Sequence, residues 1–169
     1  KSVENMSYMF NSSEIISLNL SNFNMQKVTD VSGMFNSCLK LEDLDLWKFN
    51  SNSIIKMDYM FQNTNFKSID LSNINTTGVK SMVNLFYHSV PLKIINFGSS
   101  FDTSQVTSMS GMFGFCSSLE SLNLSSFDTS KVLGMNYMFS WCTNLITINI
   151  SNFNMNQVVN MSQMFECTG

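Results

Sequence analysis

Four cysteines and a single histidine are the side chains best equipped for chemistry here, and their spacing decides what they can do. Cys38, Cys116 and Cys142 each fall three residues after a Phe, at places where other parts of the chain carry Ser13, Thr64 and Ser89. Neighbouring turns of a repeat stack lie ~5 Å apart, so Cys116 and Cys142 are candidates for a disulfide. A position that accepts Cys, Ser or Thr alike asks instead for a small side chain in a tight, half-buried turn. The spacing favours that reading over a disulfide or a metal site.

Zinc finds no ligand cluster, because His88 stands in an irregular stretch with no recurring thiol or carboxylate partner. Nucleophilic catalysis needs a Ser or Cys beside a base, and His88 offers none that recurs. Asp43, Asp45 and Asp70 are expected to be near neighbours, which leaves paired-carboxylate glycoside chemistry as the one arrangement to consider. Repeated, interchangeable positions argue against it. The chain is expected to be no enzyme and to use no cofactor and no metal.

Charge narrows the partners. The formal net charge is -3, nine scattered Lys supply all the positive side chains, and Arg and Ala are absent. Nucleic-acid binders concentrate basic residues on one face, so no nucleic-acid partner is expected. No apolar run approaches the length that spans a bilayer, so no membrane insertion is expected within this stretch.

The elements that position these residues follow from a repeat. Met-Phe or its equivalent ends at Phe10, Phe35, Phe61, Phe86, Phe113, Phe139 and Phe165, in steps of 25, 26, 25, 27, 26 and 26 residues. Apolar residues precede it three apart, as in Val28, Val31, Met34, Phe35 and in Val106, Met109, Met112, Phe113. Spacing i, i+3, i+6, i+7 predicts a short helix of about two turns in each unit, with the Met residues on its buried face. Phe-Asp-Thr-Ser, at residues 101–104 and 127–130, supplies helix-start signals.

After the helix comes Leu-x-x-Leu-x-Leu, as at Leu119, Leu122 and Leu124, whose last apolar residues alternate with polar ones. This predicts a short strand with one buried face. The expected fold is an α/β repeat: a leucine-rich-repeat-type solenoid with a parallel β-sheet on one face and one short helix per 25 to 27 residue unit. It forms one domain, 1–169, with both ends expected to fall inside a repeat. The Phe column Phe23, Phe49, Phe101, Phe127 and Phe153 is read as a stacked aromatic spine. Beside it Asn24, Asn50, Asn75, Asp102, Asp128 and Asn154 are expected to bond the backbone at the strand-to-helix corner, with a calcium ladder as the sharper alternative.

The strings LxxLxL, FDTSxV and MxxMFxxC, and above all SSLESLNLSSFDTSKVLGMNYMF at 117–139, resemble the BspA-type leucine-rich-repeat surface proteins of bacteria, mycoplasmas and some protists. The resemblance covers essentially the whole chain. It implies an extracellular or cell-surface location, an anchored protein or lipoprotein, and adhesion to a host, neighbouring-cell or matrix protein. The fourth unit departs from the pattern. Ile74 replaces Phe, Leu85 replaces Met, and Pro91 and Gly98 predict a local kink or widened loop.

The strand face turned away from the core is the expected binding surface. Its outward residues pair as Ser17 and Asn19, Asp43 and Asp45, Ser68 and Asp70, Ile94 and Asn96, Ser121 and Asn123, Thr147 and Asn149. Trp47 stands where other units hold Ser21, Ser72, Gly98, Ser125 and Ser151. It is read either as an interface anchor or as a ring folded over the sheet edge. The candidate protein-binding set is Asn19, Asp43, Asp45, Trp47, Asp70, Asn96, Asn123 and Asn149. The alternative function is a structural spacer or self-assembling stack that associates through exposed end repeats. Several Asn-x-Ser/Thr triplets recur, including those at Asn5, Asn19, Asn75, Asn123, Asn149 and Asn160, and would carry glycans only in a secreted eukaryotic protein.

Overall fold

The computed structural model describes residues 2–49 and 51–169, with the side chains of Asp43 and Lys48 left out. Asn50 of the polar corner column therefore lies outside the described residues, as does the side chain of Asp43. Six short strands follow in order: β1 (Ser17–Leu18), β2 (Asp43–Leu44), β3 (Ser68–Asp70), β4 (Ile94–Asn96), β5 (Ser121–Asn123) and β6 (Thr147–Asn149). They pair in parallel as β1 with β2, β3 with β4 and β5 with β6. Equivalent positions face each other, for example Ile69 against Ile95 and Leu122 against Ile148.

A second line of parallel bridges runs through the repeats in sequence order, from Asn5 through Asp30, Lys56, Ser81, Ser108 and Gly134 to Asn160. It passes through the fourth unit without a break. Strand pairing is interrupted twice, between β2 and β3 and between β4 and β5, and the second junction holds the extra residue of the 27-residue step. That residue is taken up in a turn at Gly98, whose φ of 64° and close approach to the Ser72 backbone leave no room for a Cβ. The widened loop expected in this unit is thus a single glycine turn.

The helices expected before each Met-Phe are absent. Among the described residues the only helical segment is one 3-10 turn, Trp47–Phe49. Three overlapping turns occupy the place of each helix. In the first repeat the N–H groups of Met9, Asn11 and Ser13 donate to the carbonyls of Met6, Tyr8 and Phe10, three residues back. The alternate N–H groups of Tyr8, Phe10 and Ser12 donate instead to Ser32, Met34 and Asn36 of the next repeat, at 2.7 to 3.0 Å.

A helix would close all of these bonds on itself four residues back. Here half of them bind the neighbouring repeat. The backbone achieves this by entering the left-handed region twice per repeat, four residues apart: Tyr8, Gly33, Tyr59, Asn84, Gly111, Tyr137 and Gln163 in one column, and Ser12, Ser37, Asn63, His88, Phe115, Trp141 and Cys167 in the other. A three-residue apolar spacing suits a chain of such turns as well as it suits a helix, which is why periodicity alone predicted the wrong element. Burial was nonetheless read correctly, since Val28, Val31, Met34 and Phe35 are fully buried and so are Met109, Met112 and Phe113.

The core is a column of rings. Phe10, Phe35, Phe61, Phe86, Phe113, Phe139 and Phe165 stack in sequence with centroids 5.2 to 5.8 Å apart and planes within 17° of parallel. The aromatic spine is therefore the Met-Phe column. In the column expected to form it, Phe101 and Phe127 stack at 5.7 Å, while Phe23 and Phe49 tilt against the main ladder. Ile74 interrupts that second column, so it cannot run continuously.

Candidate binding face

The strand face is set by two-residue alternation. In β3 Ser68 and Asp70 are exposed around buried Ile69, and in β5 Ser121 and Asn123 flank buried Leu122. Asn19, Asp45, Asp70, Asn96, Asn123 and Asn149 all lie exposed along this face, and Asp43 stands in the neighbouring column, in register with Ser17. Six of these residues do a second job. The Oδ1 of Asn19, Asp45, Asp70, Asn96, Asn123 and Asn149 accepts the N–H two residues on, from Ser21, Trp47, Ser72, Gly98, Ser125 and Ser151, at 2.8 to 3.2 Å.

Each bond is an Asx turn that bends the chain out of its strand. The face presents one carboxylate or amide per repeat because the turn requires it, and each group keeps further acceptor capacity toward solvent. Between repeats, Asn96 Nδ2 donates to Asp70 Oδ1 at 3.1 Å. The bonds Asp70 receives from Ser72, side chain first and backbone second, hold its carboxyl below the ordinary value of 3.8. It is thus kept ionised, opposite to the raised carboxyl a glycosidic general acid needs.

The same geometry explains the recurring Asn-x-Ser/Thr triplets. The N–H of Ser7, Ser21, Thr77, Ser125, Ser151 and Ser162 donates to the Asn two residues before it in six of the seven triplets, the exception being Asn11-Ser12-Ser13, where the Ser13 N–H donates to the Phe10 carbonyl. They recur as turn formers.

Trp47 opens the 3-10 turn that follows β2 and is 49% exposed. With Asn19, Ser21 and Asp45 it lines a shallow open cleft across the first two strands. Three of the expected binding residues are therefore brought together in one concavity. Asp70, Asn96, Asn123 and Asn149 continue along the face beyond it.

The polar corner column behaves as expected. Asn24, Asn75, Asp102, Asp128 and Asn154 each accept the N–H two residues on, at 2.8 to 3.0 Å. Bonds from Ser130, its side chain first, lower the Asp128 carboxyl. Sequence reasoning missed the residue after it. The buried Thr76, Thr103 and Thr129 hydroxyls each donate to the carbonyl and accept from the N–H of one residue in the next repeat, Asp102, Asp128 and Asn154 respectively, at 2.6 to 3.1 Å. The signal was a Thr at one fixed place in three consecutive units.

The cysteine column is a set of hydrogen-bond donors. Cys38, Cys116 and Cys142 are free thiols, buried, and donate to the carbonyls of Phe10, Phe86 and Phe113 at 3.0 to 3.1 Å. Ser89 and Thr168 do the same from their hydroxyls toward Phe61 and Phe139. This is the small-residue reading. Burial raises all three thiols, Cys142 to about 12. Cys167 is free and exposed.

A further cluster lies on the turn side, where the second left-handed column carries His88, Phe115 and Trp141. Phe115 and Trp141 stack at 5.7 Å with planes 3° apart, His88 and Tyr87 pack on Phe115, and Asn63 approaches His88 Nδ1 at 3.4 Å. Of these only His88 was singled out from sequence, and it was read there as having no recurring partner; Tyr87, Phe115 and Trp141 were not, because the left-handed column itself was not foreseen. On the other left-handed column the Tyr8 ring fills the space that a Cβ on Gly33 would need, so Tyr and Gly alternate there as packing partners.

Among the described residues no group of three His, Cys, Asp or Glu is placed to hold a metal, and no helix is long and apolar enough to cross a membrane.

Among curated proteins and solved structures, none matches this chain. A family model described as "Mycoplasma protein of unknown function, DUF285" matches it twice, over residues 1–97 and 63–169. The two matches overlap in the third and fourth repeats and between them span every repeat described above. The chain therefore belongs to the DUF285 family, a repeat-containing family of mycoplasma proteins.

Proposed function

We propose that the chain is a cell-surface recognition or adhesion module, a leucine-rich-repeat-type solenoid related to the BspA-type surface proteins, that binds a protein partner through its strand face. One observation carries the reading: a half-exposed Trp47 lines an open cleft with Asn19 and Asp45, at a place where the other repeats hold Ser or Gly. Aromatic anchors beside polar groups with spare hydrogen-bonding capacity dominate protein interfaces. A repeat builds its scaffold in every copy and its specificity where copies differ, and Trp47 is the largest such difference on this face.

The test is binding of the parent chain and of Trp47→Ser, Asp45→Lys and Asp45→Asn variants to intact cells and to a panel of matrix proteins. Asp45→Asn keeps the turn acceptor while removing the charge. Trp47→Ser and Asp45→Lys are expected to weaken binding by about tenfold or more. Equal binding by all three variants contradicts the proposal.

A further inference from the structure

The loop that leads into β3, residues 65–67, is one residue shorter than the loops on either side of it, residues 39–42 before β2 and 90–93 before β4. A short loop between two longer ones leaves a notch one repeat wide. Leu39 and Pro91 stand on its two sides, about 10 Å apart at twice the strand spacing, and Glu42, Asn65, Lys67 and Ser68 line it between them. Its volume of about 510 Å³ falls within the range of small-molecule sites.

The backbone opens at the same place. Where strands pair, the residue before a strand donates its N–H to the equivalent residue of the preceding repeat: Glu42 to Ile16, Lys93 to Lys67 and Ile146 to Glu120, at 2.9 to 3.2 Å. Across the notch the matching bond is missing. Among the described residues the Lys67 N–H has no acceptor and the Glu42 carbonyl no donor. The side chains of these two residues are exposed and opposite in charge, yet they do not pair; among the described residues the one ion pair is Lys40 with Glu14. Asn65 Nδ2 donates to the Leu39 carbonyl at 2.8 Å, which leaves its Oδ1 as an acceptor. Leu39 itself is 49% exposed.

We propose that this notch binds a free α-amino acid with an aliphatic side chain. Its ammonium meets the Glu42 carboxylate and carbonyl, its carboxylate the Lys67 ammonium and N–H, and its side chain the apolar walls of Leu39 and Pro91. The charges select a zwitterion, because an anion or a cation alone leaves one of the two side chains unmatched. Spacing selects a single amino acid. The two sets of groups sit one repeat apart, about 5 Å, and each added residue would move the charged ends of a peptide about 3.5 Å further from each other. The notch shares no described lining residue with the Trp47 cleft, so the two proposals stand or fall separately.

Heteronuclear NMR titration of the 169-residue chain tests it, with L-leucine, N-acetyl-L-leucine and L-leucinamide as probes. L-leucine is expected to bind with a Kd of about 1 to 10 mM and to shift the amide signals of Glu42, Lys67 and Ser68. Each blocked compound lacks one charge and is expected to bind about tenfold more weakly. Glu42→Gln is expected to lose the preference for leucine over the acetylated compound and to keep that over the amide. Lys67→Gln is expected to do the reverse. Both side chains are exposed, and an amide spectrum that matches the parent's away from the notch verifies the fold of each variant. No leucine-dependent shift at the notch, equal binding of the three compounds, or preferences that neither variant alters would overturn the proposal.

Discussion

The ring of Phe113 lies 5.7 Å from that of Phe139 with planes 3° apart, and both are fully buried. Phe113 also stacks on Phe86 from the other side and accepts the Cys142 thiol at its carbonyl. Phe113→Ala is therefore expected to cost about 3 to 5 kcal/mol, because it removes one ring from a continuous ladder and leaves a cavity. The end ring, half-exposed at Phe165, is expected to cost clearly less when truncated in the same way. Urea unfolding of the two variants measures the difference.

Thr129 is buried, donates to the Asn154 carbonyl at 3.1 Å and accepts the Asn154 N–H at 2.6 Å. Thr129→Val keeps much of the shape and strands both backbone groups, at a cost of about 1 to 3 kcal/mol. Thr129→Ser is expected to recover most of it. If Val and Ser variants unfold at the same denaturant concentration, the hydroxyl does not clamp the repeats together.

The thiol column predicts a labelling pattern. Cys38, Cys116 and Cys142 are buried with raised pKa, that of Cys142 at about 12, so they carry almost no thiolate at neutral pH, whereas Cys167 is exposed. A thiol reagent followed by mass spectrometry is expected to modify one site in the folded chain, Cys167, and all four in denaturant. Cys142→Ser is expected to be tolerated, since Ser89 makes the same bond two repeats earlier in the column.

Acid sensitivity follows from Asp70 and Asp128, whose folded-state pKa values lie below the ordinary 3.8. A depressed carboxyl contributes stability that is fully present above its unfolded value and is lost as pH falls through the folded one. Stability is expected to hold constant above the ordinary carboxylate range and to drop below it. Asp128→Asn is expected to flatten part of that drop, read from unfolding midpoints across the acid range.

Gly111 has a φ of 64°, and a Cβ there would run into the Asn84 side chain. Gly111→Ala is expected to destabilise by about 1 to 3 kcal/mol, from left-handed strain together with the clash. A double-mutant cycle with Asn84→Ala, itself at a left-handed position, separates the two causes, because the clash appears only as the coupling between the two changes.

Much of this was written in the sequence. The strand register, the outward polar positions and the burial of the Met and Phe columns all follow from a two-residue alternation and a repeat length that the spacing of Met-Phe makes plain. The missing helices were illegible to periodicity, because apolar residues three apart serve overlapping turns as well as one helical face. A signal was present in Gly33 and Gly111 at one left-handed position and Asn63 at the other, residues that tolerate positive φ. Tyr8, Phe115 and Trp141 at the same positions masked it. The exposed Asn and Asp of the strand face were legible as positions, while their turn-forming bonds needed the backbone to be seen.

Binding through the strand face is tested most directly by the two tryptophans, which lie on different sides of the repeat. In a Trp141→Phe chain the emission comes from Trp47 alone, and in a Trp47→Phe chain, which keeps an aromatic anchor in the cleft, from Trp141 alone. On titration with a matrix or cell-surface protein that the parent binds, Trp47 emission is expected to shift to the blue as the cleft closes over it, with Trp141 unchanged. A shift confined to Trp141 would contradict the account and place the partner on the turn side.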